Sequence, residues 1–285
     1  MQTVHSVAEL RNTLKQWRQA GERIAFVPTM GDLHEGHLSL MREARKFADK
    51  VVVSIFVNPL QFGPNEDFDS YPRLLENDSA KLLGERVELL FAPTVAEVYP
   101  DGAEHATQVV VPALSDTLCG ASRPGHFSGV ATVVSKLFNM VQPDVALFGE
   151  KDFQQLLVIR KFSADLCFPV EVIGVPTCRE ADGLAMSSRN GYLTETQREL
   201  APQLYRELTN IKQCLEAKES LAIAPLIEQA NEALRCSGFT PDYIEVRRAN
   251  DLTSPSETDS QLVILAAAWL GKARLIDNLQ VYRSV

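Results

Sequence analysis

The segment Val51–Val57 (VVVSIFV) constrains this chain most: it is continuously apolar but for one serine, and it carries no charge. A half-exposed strand alternates apolar and polar residues. A strand without that alternation is buried on both faces, as in a parallel sheet covered by helices. Arg23–Val27 likewise reads as a buried strand, and Glu88–Ala92, Gln108–Val111, Ala146–Phe148 and Val170–Val175 read as strands. Helical spacing falls between them, at Val7–Gln19, from Gly36 to Ala48, and at Asp78–Leu83, Val130–Val141 and Phe153–Phe162. This alternation predicts a Rossmann-like parallel sheet with helices on both faces, over residues 1–180.

After Ser187-Ser188-Arg189 the texture changes. Thr194–Glu216 and Ile223–Cys236 read as amphipathic helices, and Tyr243–Arg247, Gln261–Ala268 and Ala273–Asn278 as strands, with a turn at Leu270-Gly271-Lys272. A smaller α+β domain over residues 181–285 is expected.

The balance of 28 basic against 37 acidic residues gives a net charge of −9. That argues against non-specific binding to nucleic acid, which rests on basic surface. An anionic small molecule remains possible, but its cations must be local. The 5 cysteines show no CxxC spacing, so neither a disulfide framework nor a thiolate zinc site is suggested. The longest apolar run, Leu262–Leu270, is far short of the ~20 residues of a membrane helix. The first residues hold no signal-peptide core. The expectation is a cytoplasmic protein with no membrane partner.

His34 and His37 stand three residues apart in Thr29–His37, after a predicted strand and at the opening of a helix. Ligands of open α/β sheets bind outside the carboxyl ends of strands, and a helix N-terminus there favours an anion. Gly36 between the histidines leaves room for a ligand to approach the backbone. The rival readings are a metal pair and a structural pair. The zinc motif HExxH spaces its histidines at i and i+4, which is not the spacing here. Leu147–Gln155 repeats the logic: a short strand, Gly149, then Lys151 to meet phosphate and Asp152 to accept from a ribose hydroxyl. A cap at a helix start is the bland alternative. Met186–Asn190 is a third polar cluster, able to bracket phosphates or simply to turn the chain. Gln61 and Gln155 are neutral donor–acceptor groups suited to a hydroxy acid, with Met30, Phe148, Val133 and Val134 nearby by strand logic.

Pro28–His37 (PTMGDLHEGH), Phe56–Arg73 (FVNPLQFGPNEDFDSYPR), Arg123–Gly129 (RPGHFSG), Leu147–Leu156 (LFGEKDFQQL) and Met186–Asn190 (MSSRN) together resemble the motif set of the pantoate–β-alanine ligase family, from end to end and in order. HxGH alone would indicate only the wider nucleotidyltransferase superfamily. The resemblance implies a Rossmann-like domain bearing HxGH, a smaller C-terminal lid domain and a homodimer. It implies adenylation of (R)-pantoate with ATP and Mg²⁺, then attack of β-alanine on the bound pantoyl adenylate. By that likeness Met30, Gly31, His34, Gly36, His37, Gly149, Lys151, Asp152, Cys178, Met186, Ser187, Ser188 and Arg189 bind ATP. His34, His37, Lys151 and Arg189 would be catalytic. Gln61, Gln155, Asn58 and Tyr71 would hold pantoate and β-alanine, and the Gln61–Tyr71 loop is a further cover. Where the family often carries two acids near magnesium, this chain has Glu76, Asn77 and Asp78, leaving Asp78 as the metal candidate. The rivals are a nucleotidyltransferase whose product keeps the nucleotide, a zinc hydrolase using both histidines, and a nucleotide-binding regulator without turnover.

Overall fold

The structure is a computed structural model, and it describes residues 1–63, 68, 71, 73–217 and 223–284. Much of the loop expected to act as a cover (64–67, 69, 70) lies outside the described residues. The chain divides into two compact units, Met1–Glu150 with Gln154–Pro176, and Lys151–Phe153 with Thr177–Val285.

The first unit runs β1 (Gln2–Val4), α1 (Val7–Gln19), β2 (Ile24–Thr29), α2 (Glu35–Ala44), β3 (Lys50–Ile55), α3 (Leu75–Gly84), β4 (Leu89–Phe91), α4 (Val95–Val98), α5 (Cys119–Ser122), α6 (His126–Val141), β5 (Val145–Gly149), α7 (Phe153–Asp165) and β6 (Glu171–Val175). The six strands form one parallel sheet in the order β1-β4-β3-β2-β5-β6. From β2 the chain builds outward through β3 to β4, then returns to lay β5 on the other side of β2. The order therefore reverses between β2 and β5, the point at which ligands bind in open α/β sheets. The ladder between these two strands pairs only Ala25 with Val145 and Phe26 with Ala146, while β2 stays paired to β3 as far as Thr29. Pro28 lies just beyond and has no N–H to give a ladder. The two strands thus part before they end, which opens the crevice.

Strand alternation explains the apolar runs. Ala25, Val27, Val51, Val53 and Leu90 meet Leu40, Met41 and Ala44 of α2 and Leu82 of α3. On the opposite face Phe148 packs on Phe138 of α6, which also meets Phe162 of α7, with centroids 6.4 and 6.2 Å apart. The expected strand at Gln108–Val111 is absent: that stretch joins no sheet, and Val109 N–H donates to Thr132 Oγ1 at 2.9 Å instead of entering a ladder. The edge strand β1 is too short for its periodicity to show in the sequence.

The second unit holds α8 (Glu195–Leu200), α9 (Gln203–Ala217), α10 (Ile223–Cys236), β7 (Thr240–Arg248), β8 (Gln261–Leu270) and β9 (Ala273–Tyr282). The helix expected over Thr194–Glu216 is two helices, because Pro202 cannot continue the backbone ladder of the first. The strands make an antiparallel sheet in the order β7-β8-β9. A two-residue turn joins β8 to β9, with Gly271 at φ +60° where a side chain would be strained. Leu204, Leu208 and Ile211 of α9 and Leu234 of α10 cover Leu262, Ile264 and Ala266. The apolar run Leu262–Leu270 is the central strand of this sheet, and among the described residues no helix is long and apolar enough to cross a membrane.

Candidate active site

In the first unit, the turn after β2 carries the histidine motif to the N-terminus of α2. Gly31 has φ +87°, and a Cβ there would come within 3.1 Å of Asp78 Oδ2 and 3.2 Å of Ile55 Cγ2. Asp78 is 1% exposed, and its two oxygens accept the backbone N–H groups of Asp32 (2.8 Å) and Leu33 (2.9 Å). The residue singled out as a metal candidate thus ties α3 to the turn that presents His34 and His37. Among the described residues no three His, Cys, Asp or Glu side chains cluster as metal ligands do.

His34 is the N-cap of α2. Its N–H donates to His37 Nδ1 at 3.3 Å, and the two rings lie 4.1 Å apart. An Nδ1 that accepts carries no proton. In the neutral ring the proton of His37 then sits on Nε2, where it can be donated to an anion.

A second cluster fixes Gln61. The buried Tyr99 hydroxyl donates to Asn58 Oδ1 at 2.8 Å. Asn58 Nδ2 donates to Gln61 Oε1 and to the Gly129 carbonyl, each at 3.2 Å, and Gln61 Nε2 donates to Met30 Sδ at 2.9 Å. Burial pushes the Tyr99 phenol well above its usual range, so it stays a donor. The Gln61 carbonyl accepts from His126 Nδ1 at 2.8 Å and from Arg123 Nη2 at 3.3 Å. Arg123 Nη1 lies 3.1 Å from His126 Nε2. A guanidinium only donates and a carbonyl only accepts, so His126 is neutral with its proton on Nδ1. Gly129 on α6 is where backbones meet: a Cβ there would lie 2.2 Å from the Leu60 carbonyl oxygen. Tyr71 is buried, its ring set edge-on to Phe62 at 5.7 Å.

On α7 the two adjacent glutamines differ. Gln154 is buried and serves structure, donating to the Leu114 and Thr117 carbonyls and accepting from Cys119 N–H. Gln155 is half-buried. Gly149 ends β5 beside the switch point.

In the second unit, Lys151 and Asp152 lie in a short 3₁₀ turn, with Lys151 Nζ 3.9 Å from Asp152 Oδ2. Cys178 and Met186 face each other across a narrow hairpin: Met186 N–H donates to the Cys178 carbonyl at 3.0 Å and their sulfurs are 3.6 Å apart. Ser187 caps the turn Ser188–Tyr192, its hydroxyl accepting Arg189 N–H at 3.3 Å. Arg179, which no sequence motif singles out, donates twice to Asp277, at 2.7 and 2.8 Å, and lies 3.9 Å over the ring of Tyr205.

Sequence alone marks Arg123–Gly129 as a motif and as punctuation before a helix. It gives Arg123 and His126 no positioning role, and it passes over Tyr99 altogether. The close spacing of Arg, His and two glycines is the available signal for the first two. Nothing in the local sequence of Tyr99 reports that its hydroxyl reaches Asn58.

Comparison with known proteins covers nearly the whole chain. The family model described as pantoate-beta-alanine ligase matches residues 2–280. The chain is 56% identical over 284 residues to the pantothenate synthetase of Shewanella loihica, covering 100% of both chains. It is 57% identical to that of Pseudomonas aeruginosa, covering 99% of each. Among solved structures, pantothenate synthetase from Thermus thermophilus matches at TM-score 0.91 and 50% identity, over 99% of this chain and 100% of that one. The pantoate-beta-alanine ligase of Francisella tularensis, complexed with beta-gamma ATP and beta-alanine, matches at TM-score 0.80 and 35% identity, over 98% and 97%. With its parallel sheet, its histidine turn and a match along nearly its whole length, the chain belongs to the pantoate–β-alanine ligase family.

Proposed function

We propose that the chain works in two half-reactions, adenylation of (R)-pantoate by ATP and capture of the bound pantoyl adenylate by β-alanine. The chain is an ATP-dependent pantoate–β-alanine ligase. A carboxylate has no leaving group for an amine to displace at neutral pH. In the first step a pantoate carboxylate oxygen bonds to the α-phosphorus, the α–β bridging bond breaks, and pyrophosphate leaves. In the second, the β-alanine nitrogen bonds to the acyl carbon and loses a proton, and AMP leaves. The carrying observation is the turn Thr29–His37 at the switch point of the sheet, with a His37 whose Nε2 is a donor.

Phosphoryl transfer of this kind needs positioning and charge more than a covalent nucleophile. His34, His37, Lys151 and Arg189 supply donors to the phosphates, which answers how an acidic chain handles ATP. Met30, Gly31, Gly36, Gly149, Cys178, Met186, Ser187 and Ser188 line the nucleotide, and Asp152 accepts from the ribose. Gln61, with its amide oriented by Asn58 and Met30, and Gln155 read the hydroxyl and carboxylate oxygens of pantoate. Asn58 and Tyr71 support the same pocket. The acyl adenylate hydrolyses readily, so water must be kept out. The lid role of residues 181–285 belongs to that requirement.

Asp78 spends one lone pair of each oxygen on the backbone and, among the described residues, belongs to no cluster of three metal-ligating side chains, so these residues do not build a magnesium cage by themselves. Mg²⁺ would be held mainly by the phosphates of ATP, as is common for this ion, and would offset their charge there. A homodimer and a cytoplasmic location complete the reading; sedimentation and cell fractionation test them. The reaction itself is tested by pantoate-dependent exchange of labelled pyrophosphate into ATP without amine. Exchange, followed by AMP and pantothenate on adding β-alanine, is the expected result. Release of AMP only when β-alanine is present, with no exchange, would replace the two-step scheme with a concerted one.

A further inference from the structure

We propose that Asn278 on β9 is a positioning residue for Lys151, holding the main chain from which that lysine reaches the phosphates. This rests on the reading of Lys151 as a phosphate-facing cation. Asn278 Nδ2 donates to the Lys151 carbonyl at 2.8 Å, across 127 positions of sequence but within the second unit. Asn278 is held in turn. Its N–H donates to Asp277 Oδ1 at 2.7 Å, and its carbonyl lies 3.4 Å from Arg179 Nη2. Arg179 binds Asp277 through both terminal nitrogens, donates to the Gly183 carbonyl at 3.0 Å and stacks on Tyr205. A connected chain thus runs from Tyr205 through Arg179, Asp277 and Asn278 to Lys151.

An Asp-Asn pair is out of place in the middle of a strand. Both residues are depleted from strands, and here they are 4% and 6% exposed. Buried polar side chains cost stability unless each is satisfied, and local rules are broken most often at functional sites. The amide of Asn278 suits this contact, because an aspartate could not donate to a carbonyl, and an aliphatic residue would leave that carbonyl without this donor. The lysine ammonium sits on a flexible four-carbon stem. Its backbone is the fixed reference from which it reaches, and small misplacement of a catalytic charge is costly.

The test measures pantoate-dependent pyrophosphate exchange in full-length enzyme for Asn278→Ala, Lys151→Ala and the double variant. Lys151→Ala alone should lose ~10²–10³ in rate, as on removing one pre-placed donor. Asn278→Ala should lower kcat about tenfold with the KM for pantoate unchanged, since it disturbs a contact made in the transition state. In the Lys151→Ala background the same change should cost nothing more, because there is no ammonium left to misplace. Should Asn278→Ala fail to fold, the near-isosteric Asn278→Asp takes its place. A folded Asn278 variant with normal kcat, or an equal tenfold loss in both backgrounds, overturns the positioning role alone. Near-normal exchange by Lys151→Ala overturns the reading of the lysine and this inference with it.

Discussion

The two units hold their candidate residues by different physics. In the first, Gln61 is fixed mostly by neutral groups: a phenol, an amide, a thioether, a neutral imidazole and the Gly129 carbonyl, with Gly129 allowing main chains to touch. Arg123 is the charged member of that set. In the second, the frame around Lys151 is an ion pair, Arg179 with Asp277, closed by a ring face and an amide. A neutral lattice has little desolvation to repay, and its weakness is steric. A buried ion pair is costly to desolvate and becomes a liability when halved. The first arrangement suits a substrate read by shape and hydrogen bonds, and the second suits a cation whose position must not drift.

Halving the ion pair is the largest expected effect. Arg179 and Asp277 side chains are 16% and 3% exposed. Asp277→Ala leaves the guanidinium largely buried without its carboxylate, and should destabilise the protein by about 3–5 kcal/mol. Replacing both residues with apolar ones of similar volume should recover most of that loss, although Asn278 would lose its anchor. Denaturant unfolding of the single and double variants checks this. If the double variant is as unstable as the single one, the pair is more than a satisfied charge and the contrast between the units is drawn wrongly.

The corresponding break in the first unit is steric. Gly129→Ala puts a methyl 2.2 Å from the Leu60 carbonyl oxygen and 2.8 Å from the Gln61 nitrogen, both rigid main-chain atoms. Overpacking of this kind costs about 1–3 kcal/mol. Because the displaced residue is Gln61, the KM for pantoate should rise along with the loss of stability. A variant that melts lower but binds pantoate normally would detach Gln61 from the substrate.

This contrast also marks what is legible in the sequence. The sheet is readable because double burial forces continuous apolar runs, as in Val51–Val57. The HxGH turn is readable as a strand–turn–helix junction because those features occur together in few other contexts, whereas GEKD alone reads equally well as a helix cap. Three kinds of feature are not readable. Gln108–Val111 has strand-like composition but lacks a partner, and a ladder is a property of two segments. The break at Pro202 lies inside a strong amphipathic pattern that carries across it. Asp78, Tyr99, Arg179 and Asn278 act through hydrogen bonds to residues 41 to 127 positions away, which no local pattern encodes. Asp78, for instance, is a metal candidate only through the family resemblance, while its carboxylate binds the backbone of Asp32 and Leu33.

The smallest effects are in pH, and they should fall on opposite sides of neutrality. Burial raises the Tyr99 phenol above its unfolded value of 10.0. The unfolded chain then releases that proton first as pH climbs, so the contribution of Tyr99 is complete below pH ~10 and lost above it. In the second unit, Asp182 is lowered from 3.8, chiefly by its hydrogen bond from Arg198 at 2.6 Å. Its contribution is present above that value and lost as pH falls through the lowered one. The pair is 43% and 36% exposed, so solvent screening keeps it to about 0.2–1 kcal/mol. Thermal unfolding across the pH range tests both. Tyr99→Phe should flatten the alkaline limb and lose about 1 kcal/mol at neutral pH, since Asn58 Oδ1 forfeits its phenolic donor. Asp182→Asn should soften only the acid limb. If Tyr99→Phe leaves the alkaline limb unchanged, the phenol is not shielded as its burial indicates. Asn58, which orients the Gln61 amide, would then be held by the Gly129 carbonyl and the Leu60 N–H rather than by the phenol.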